Sequence, residues 1–243
     1  MNEPLKLEGI VVRSAPLGDN DKMLTVLTRK KGVISVLARG VKSLKNKNSQ
    51  GVQPLCYTDF VLRDKGDVYS LVSADVKESF YSLRENVEAL SYGVYFAQLA
   101  AFVVGHNNPA EDEMKLLLNS LYLLGKNPER CFVLCAAFEL KICEYAGFAP
   151  YVESCMCGSE GDWFDTQSGE CVCSIHKAPT AKKISKSAKA VFEYVQNASL
   201  KEALTFDTQK EIATEVSFLA EEFLTCQLGK LPKSLDYIKK IIY

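Results

Sequence analysis

A chain of 243 residues, 47% of them hydrophobic, is long enough to bury a substantial core without disulfides, as one large domain or two unequal ones. Charges at Glu3, Lys6 and Glu8 interrupt the first nine residues, and no later stretch reads as an uncharged span of about 18 residues, so the expectation is a cytoplasmic protein with no membrane partner. The formal net charge of −1 hides an asymmetry: the first fifty residues hold ten Lys or Arg against the acids Glu3, Glu8, Asp19 and Asp21, which leaves that segment at +6 and the remainder at −7. Phosphate attraction depends on local potential within about 10 Å, so the net charge does not exclude a nucleic-acid partner. A solvated lysine-rich loop would give the same count.

Five runs rich in Val, Ile, Leu, Thr and Tyr predict strands over Leu7–Ser14, Lys22–Thr28, Val33–Arg39, Tyr57–Arg63 and Val68–Ala74. Pro16–Asn20, Lys30–Gly32 and Asp64–Asp67 separate them as turns. In the second run Met23, Thr25 and Leu27 share one face and Leu24, Val26 and Thr28 the other, both mostly apolar or small, as in a strand covered on two sides. Five short strands with a longer third connection match an OB barrel, although a bare count of five fits an SH3-like barrel nearly as well. From Asn86 onward the periodicity becomes helical, with Val87, Leu90, Val94, Ala97, Ala101 and Val104 at spacings of three and four. Further helices are expected over Glu111–Leu124, stopped by Gly125, and from Asn127 and Pro128 to Gly147. Cys131, Cys135 and Cys143 sit inside the latter as packed thiols. Ser187–Asn197 and Thr208–Leu228 complete the helical set, Thr208 and Glu211 forming a capping-box pattern.

Cys155, Cys157, Cys171, Cys173 and His176 crowd into 22 residues, which favours a metal over a disulfide framework. Cys155-Met156-Cys157-Gly158 and Cys173-Ser174-Ile175-His176 read as two chelating knuckles around a small hairpin that holds Trp163, Phe164 and the turn Ser168-Gly169. Cys155, Cys157, Cys173 and His176 are the expected ligands of one structural zinc, with Cys171 open as a replacement for Cys155 or Cys157. A catalytic zinc would leave a position to water beside a general acid or base, yet soft ligands here suffice to fill all four positions, and no HExxH or H-x-E with P-C-x-x-C occurs. No P-loop, G-x-G-x-x-G or G-x-S-x-G is present, so no nucleotide cofactor is expected. His106, in His106-Asn107-Asn108-Pro109, reads as an exposed loop histidine and not as part of a catalytic engine.

Leu7–Arg13, Leu17–Lys22, Leu27-Thr28 and Gly32–Ser35 closely resemble the opening of RecO proteins, and the likeness continues through Ala38–Lys42, Gln53–Leu55, Ala146–Pro150 and Leu228–Leu235. These segments keep the family's order over nearly the whole chain. The resemblance implies an α+β multidomain protein: an OB domain (1–80), a helical bundle in two parts (81–150 and 181–243) and a zinc-binding insert (151–180). It also implies a non-enzymatic repair protein that binds single- and double-stranded DNA, anneals complementary strands, partners RecR and the single-strand binding protein, and assists RecA loading. Many relatives carry C-x-x-C twice; here Ser154 stands where the first cysteine is expected, and the last ligand becomes His176.

With no aromatic side chain in the first fifty residues, DNA binding is expected to rest on phosphate contacts from Arg13, Lys22, Arg39, Lys42, Lys45 and Lys47. Lys230, Lys233, Lys239 and Lys240, beside Leu231, Leu235, Ile238 and Ile241, are the expected seat for the acidic, apolar tail of the single-strand binding protein. The competing class is a protein-interaction adaptor whose basic face docks an acidic partner and which binds no DNA.

Overall fold

A computed structural model of the chain describes residues 3–43 and 45–242, the side chains of 241 and 242 excepted. It divides into two compact units, residues 1–125 and 126–243.

The first unit is built on β1 (Leu5–Leu17), β2 (Asp21–Thr28), β3 (Gly32–Ala38), β4 (Tyr57–Asp64) and β5 (Tyr69–Glu78), closed into a barrel in the order β1-β2-β3-β5-β4. Four pairings are antiparallel, and β3 meets β5 in parallel through Val36 and Tyr69. That order is the OB arrangement, which the strand count alone could not separate from an SH3-like barrel. Leu7, Val11, Leu24, Val26, Ile34, Val36, Phe60 and Leu62 fill the interior. Each such side chain contributes about 1.5–3 kcal/mol relative to exposure.

The outer faces of β1, β2 and β3 are apolar where a helix lies over them: Ile10 and Leu27 are fully buried and Val33 nearly so. The covering helix is α1 (Val87–Val104), which packs across β1 and β3 and is followed by α2 (Glu111–Lys126). Asn86 caps α1 by accepting from the Ala89 N–H. With Glu88 as its one charge in 18 residues, α1 is long and apolar enough to cross a membrane, contrary to the expectation of no such stretch; half of it is buried inside the protein. Both helices cluster with the barrel and not with the rest of the bundle. α2 also runs through Gly125, which was expected to stop it.

Gly32 shows why the barrel and helices tolerate so little change at the β2–β3 turn. Its φ is +59°, and a Cβ there would lie 2.6 Å from the Asn108 carbonyl oxygen and 2.7 Å from that of Gly105. Val33 N–H donates to Gly105, and Ala110 N–H to the Arg29 carbonyl, so the loop after α1 is pinned to the turn by backbone.

The second unit is helical, with a small sheet. A 3₁₀ turn at Pro128–Arg130 leads into α3 (Cys131–Tyr145), which is buried from Cys131 through Cys143 and packs against α6 (Lys210–Leu228). Between them lie the strands β6 (Trp163–Asp165), β7 (Glu170–Val172) and β8 (Lys182–Lys183), then α4 (Lys186–Asn197) and α5 (Leu200–Thr205), and α7 (Ser234–Ile242) ends the described chain. The capping box expected from Thr208 and Glu211 does not form. Phe206 is extended and packs on Tyr194, its carbonyl accepts from Arg130, and α6 starts one residue later behind Gln209 with no side-chain cap. The box that does form is Ser199 with Glu202, opening α5.

Candidate metal centre and nucleic-acid interface

β1 and β2 are joined by a tight turn over Gly18–Asn20, and the chain leaving β3 passes directly over it. Gly40 N–H donates to Asp21 Oδ1 (2.8 Å), Lys42 N–H to the Asn20 carbonyl (3.2 Å), and Lys42 Nζ to the Gly18 carbonyl (2.5 Å). Further along, Asn46 Nδ2 donates to Gly40, and Asn48 Oδ1 accepts from Ala74 N–H of β5. The lysine-rich segment is therefore stapled to the barrel by short polar side chains and is no free loop. Asp21 serves the backbone here and leaves the lysines unpaired.

The expected cations fall on this edge. A register shift in β1 between Val11 and Arg13 sets Arg13 opposite Thr25, on the outward face shared with Met23, Ser35 and Leu37. Arg39 continues that face just past β3, while Lys22 ends the inward row of β2 at the barrel mouth, opposite Ala38. Arg13, Arg39, Lys42, Lys45 and Lys47 are exposed and Lys22 is half-buried. Among the described residues, none of the six has a carboxylate within ion-pair distance. Arg29, equally basic in the sequence, is consumed: its guanidinium meets Glu111 at 2.6 Å and Glu8 at 3.5 Å. Glu8 also accepts from the Tyr57 hydroxyl and from Lys77, and these hold its carboxyl below the usual range. Charge counting along the chain could not make this division, because the partners of Arg29 are 21 and 82 residues away in sequence.

In the second unit both knuckles are tight turns. Gly158 N–H donates to the Cys155 carbonyl and His176 N–H to the Cys173 carbonyl. Between them β6 pairs with β7 through Phe164 and Cys171, and β8, which follows the second knuckle, pairs with β6 through Phe164 and Lys182; β8 is a strand the sequence pattern did not reveal. Phe164 is fully buried against Phe192 and Phe223, so the hairpin is anchored in the bundle core. The turn that carries Gly169 lies so close that a Cβ there would meet the Phe223 ring at 2.6 Å.

This frame brings the ligand atoms of Cys155, Cys157, Cys173 and His176 within 4.8 Å of one another. Cys157 Sγ lies 3.8 Å from Cys173 Sγ, and His176 Nδ1 lies 3.3 Å from Cys173 Sγ and 3.5 Å from Cys155 Sγ. Tetrahedral zinc, with Zn–S near 2.3 Å and Zn–N near 2.0–2.1 Å, sets its ligand atoms about 3.6–3.8 Å apart, and these three separations lie within a few tenths of an ångström of that spacing, so the three thiols and the imidazole fit a zinc ion. Ser159, through its hydroxyl and backbone, pulls the Cys157 thiol down to about 6. That favours the thiolate a metal binds. Cys171 takes no part: it is buried in β7 and its thiol is pushed up to about 11 by burial.

Cys131, Cys135 and Cys143 are packed thiols, and burial raises Cys135 and Cys143 well above the ordinary value. His106 is exposed, and its Nδ1 lies 2.8 Å from the Val33 carbonyl, a structural contact at the start of β3. At the C-terminus α7 is amphipathic and docked, with Leu235 and Ile238 buried; the side chain of Ile241 lies outside the described residues. A groove of about 500 Å³ runs beside it, lined by Phe218, Glu222, Leu231, Leu235 and Asp236 among others. Lys239, also on the groove, is held by Glu221 at 2.5 Å, while Lys230 and Lys233 are exposed and do not line it.

Barrels of this strand order bind oligonucleotides or oligosaccharides on the face of the second and third strands and the adjoining loops. The class is thus that of OB-barrel proteins, here with a helical body and a cluster of three cysteines and a histidine able to hold a metal ion in the same chain. Residues 1–80 match the family model described as Recombination protein O N terminal, and residues 84–236 match Recombination protein O C terminal. A DNA repair protein RecO of Acetivibrio thermocellus is 32% identical over 98% of this chain and 97% of its own length. Relatives of the same name from Alkaliphilus metalliredigens and Caldicellulosiruptor bescii are each 30% identical over 98% of this chain, and over 99% and 98% of their own lengths. The chain belongs to the RecO family, and so to the non-catalytic mediators of DNA repair and recombination.

Proposed function

We propose that the protein binds single- and double-stranded DNA along the barrel edge formed by Arg13, Lys22, Arg39, Lys42, Lys45 and Lys47, promotes annealing of complementary strands and, with RecR, helps load RecA onto DNA coated by the single-strand binding protein. The observation that carries this reading is the stapled edge: six cations that have, among the described residues, no carboxylate within ion-pair distance, beside an outward strip of β1–β3 with no aromatic side chain. Such a face grips phosphates and leaves bases free to pair. In this reading residues 1–80 hold DNA, the insert 151–180 holds one structural zinc, and the helical parts 81–150 and 181–243 carry partner surfaces, all in the bacterial cytoplasm at the nucleoid.

Filter binding of a bare oligonucleotide at low salt tests it: DNA is retained, whereas a pure adaptor retains none. For the tail of the single-strand binding protein we propose the C-terminal groove, with Leu231 and Leu235 as apolar contacts and Lys230 and Lys233 at its approach. Glu221, Glu222 and Asp236 on that groove work against an acidic peptide, which has to compete for Lys239. A labelled tail peptide that binds equally after Lys230 and Lys233 are changed to Glu places the seat elsewhere.

A further inference from the structure

We propose that Cys157 and Cys173 form a peroxide-sensitive dithiol whose closure to a disulfide expels zinc from the cluster, an inference that rests on the reading that the cluster holds zinc. Of the three cysteines in the cluster, Cys155 and Cys173 are buried and Cys157 is exposed. Cys157 follows Met156, itself 86% exposed, on the outer side of the first knuckle. The Cys173 sulfur is 3.8 Å away. A disulfide is about 2.05 Å long, so the two sulfurs must approach by about 1.8 Å. Cys173 is buried and directly follows a paired strand, whereas Cys157 is exposed in a turn outside the paired strands, so Cys157 is the one to move. Cys226 is also exposed but lies outside the cluster, and Cys171 is buried outside it.

The chemistry needs one oxidant, hydrogen peroxide. The Cys157 thiolate attacks a peroxide oxygen; the S–O bond forms, the O–O bond breaks, and the departing hydroxide takes a proton to become water. Cys157 is then a sulfenic acid. The Cys173 thiolate attacks that sulfur, the S–S bond forms, the S–O bond breaks and a second hydroxide leaves, taking a proton to become water. The two sulfurs lose two electrons and the peroxide gains them. Zinc is left with Cys155 and His176, two ligands where four were required.

The response is local. The knuckles share a core of only Cys155, Val172, Cys173 and Ala181 with Trp163 packed on it, while Phe164 stays anchored to Phe192 and Phe223. Loss of the ion loosens the two knuckle loops and leaves the bundle standing.

The test uses the full-length protein, with zinc content measured by elemental analysis before any oxidant is added. A few equivalents of hydrogen peroxide release the zinc to a chromogenic chelator, peptide mapping finds Cys157 joined to Cys173, and dithiothreitol with added zinc reverses both. Cys157→His keeps a four-ligand site and slows release by at least about tenfold, while Cys226→Ser releases zinc like the parent. Zinc retained under peroxide, a disulfide of different connectivity, or Cys157→His releasing as fast as the parent overturns the proposal. Should Cys157→His bind no zinc, the peptide map of the oxidised parent decides. A parent protein without zinc before oxidation overturns the metal reading and, with it, this one.

Discussion

Replacing Arg39, Lys42 and Lys45 together by alanine removes half of the six unpaired cations on the barrel edge, and the effect on DNA binding can be worked out from that count. Each phosphate contact contributes about −0.9 to the slope of log affinity against log salt for duplex and about −0.7 for a single strand. If all six engage, the slope is near −5 for duplex and −4 for single strands, and a fourfold rise in salt weakens single-strand binding by about 300-fold. The triple variant should show slopes shallower by about 2–3, and the same salt step should then cost it only about 20-fold. Loss of affinity should be equal across sequences, since phosphates carry no base identity. Lys77→Ala is the matched control, because Lys77 already sits 2.9 Å from Glu8 and should leave the slope unchanged. The assay is a fluorescence anisotropy titration at four salt concentrations with oligonucleotides of unrelated sequence. An unchanged slope in the triple variant would refute this placement and shift attention to Lys182, Lys183, Lys186 and Lys189, although Lys182 and Lys186 are already paired with Glu222 and Glu160.

Elemental analysis of protein made in zinc-replete medium should find about one zinc per chain; His176→Ala should lower this and make the knuckle loops sensitive to protease, while unfolding of the barrel stays cooperative. Gly32→Ala combines a φ of +59° with backbone oxygens 2.6 and 2.7 Å from the new Cβ, and should destabilise the protein by at least about 1–3 kcal/mol in urea melts; a loss below the error of the melts contradicts the close approach. The Glu8 carboxyl is held low chiefly by the Tyr57 hydroxyl and then by Lys77. Its contribution is therefore full above the ordinary carboxylate pKa and disappears as pH falls through the depressed folded value. Glu8→Gln should accordingly be less stable than the parent at neutral pH, and the gap should close on acidification; a gap independent of pH removes Glu8 from the linkage.

Much of this architecture was legible in the sequence because it rests on local rules. Runs rich in Val, Ile, Leu, Thr and Tyr marked all five strands, and apolar or small residues on both faces of β2 marked a strand covered on two sides, where Leu27 is fully buried. What escaped were features decided by distant contacts. β8 is two residues long and exists because Phe164 is fixed in the bundle and offers a free edge to Lys182 and Lys183. The Thr208 cap lost to the packing of Phe206 on Tyr194. At the candidate metal cluster, spacing narrowed the ligands to five candidates, and only the strand register, which pairs buried Cys171 with Phe164 and away from the cluster, separated it from the other four. Among the basic residues the sequence marked a region, but it could not show that Arg29 pairs with Glu8 and Glu111 while Arg39, among the described residues, has no acid within ion-pair distance.

The same sorting bears on why such a protein would suit annealing, on the proposed reading. OB barrels that hold single strands tightly stack bases on aromatic side chains, at about 1–3 kcal/mol per base, and a stacked base is unavailable for pairing. Here the outward strip from Arg13 across Met23, Thr25, Ser35 and Leu37 to Arg39 offers no ring on which to stack. Affinity must then come from phosphates, which single strands and duplex both present, so the product of pairing is held by the same contacts as its reactants. Placing one aromatic side chain in the strip tests this directly. Thr25→Trp should tighten single-strand binding several-fold through stacking, leave duplex binding unchanged, and slow annealing of complementary oligonucleotides; a variant that binds single strands more tightly and anneals as fast as the parent would show that free bases are not what the barrel face protects.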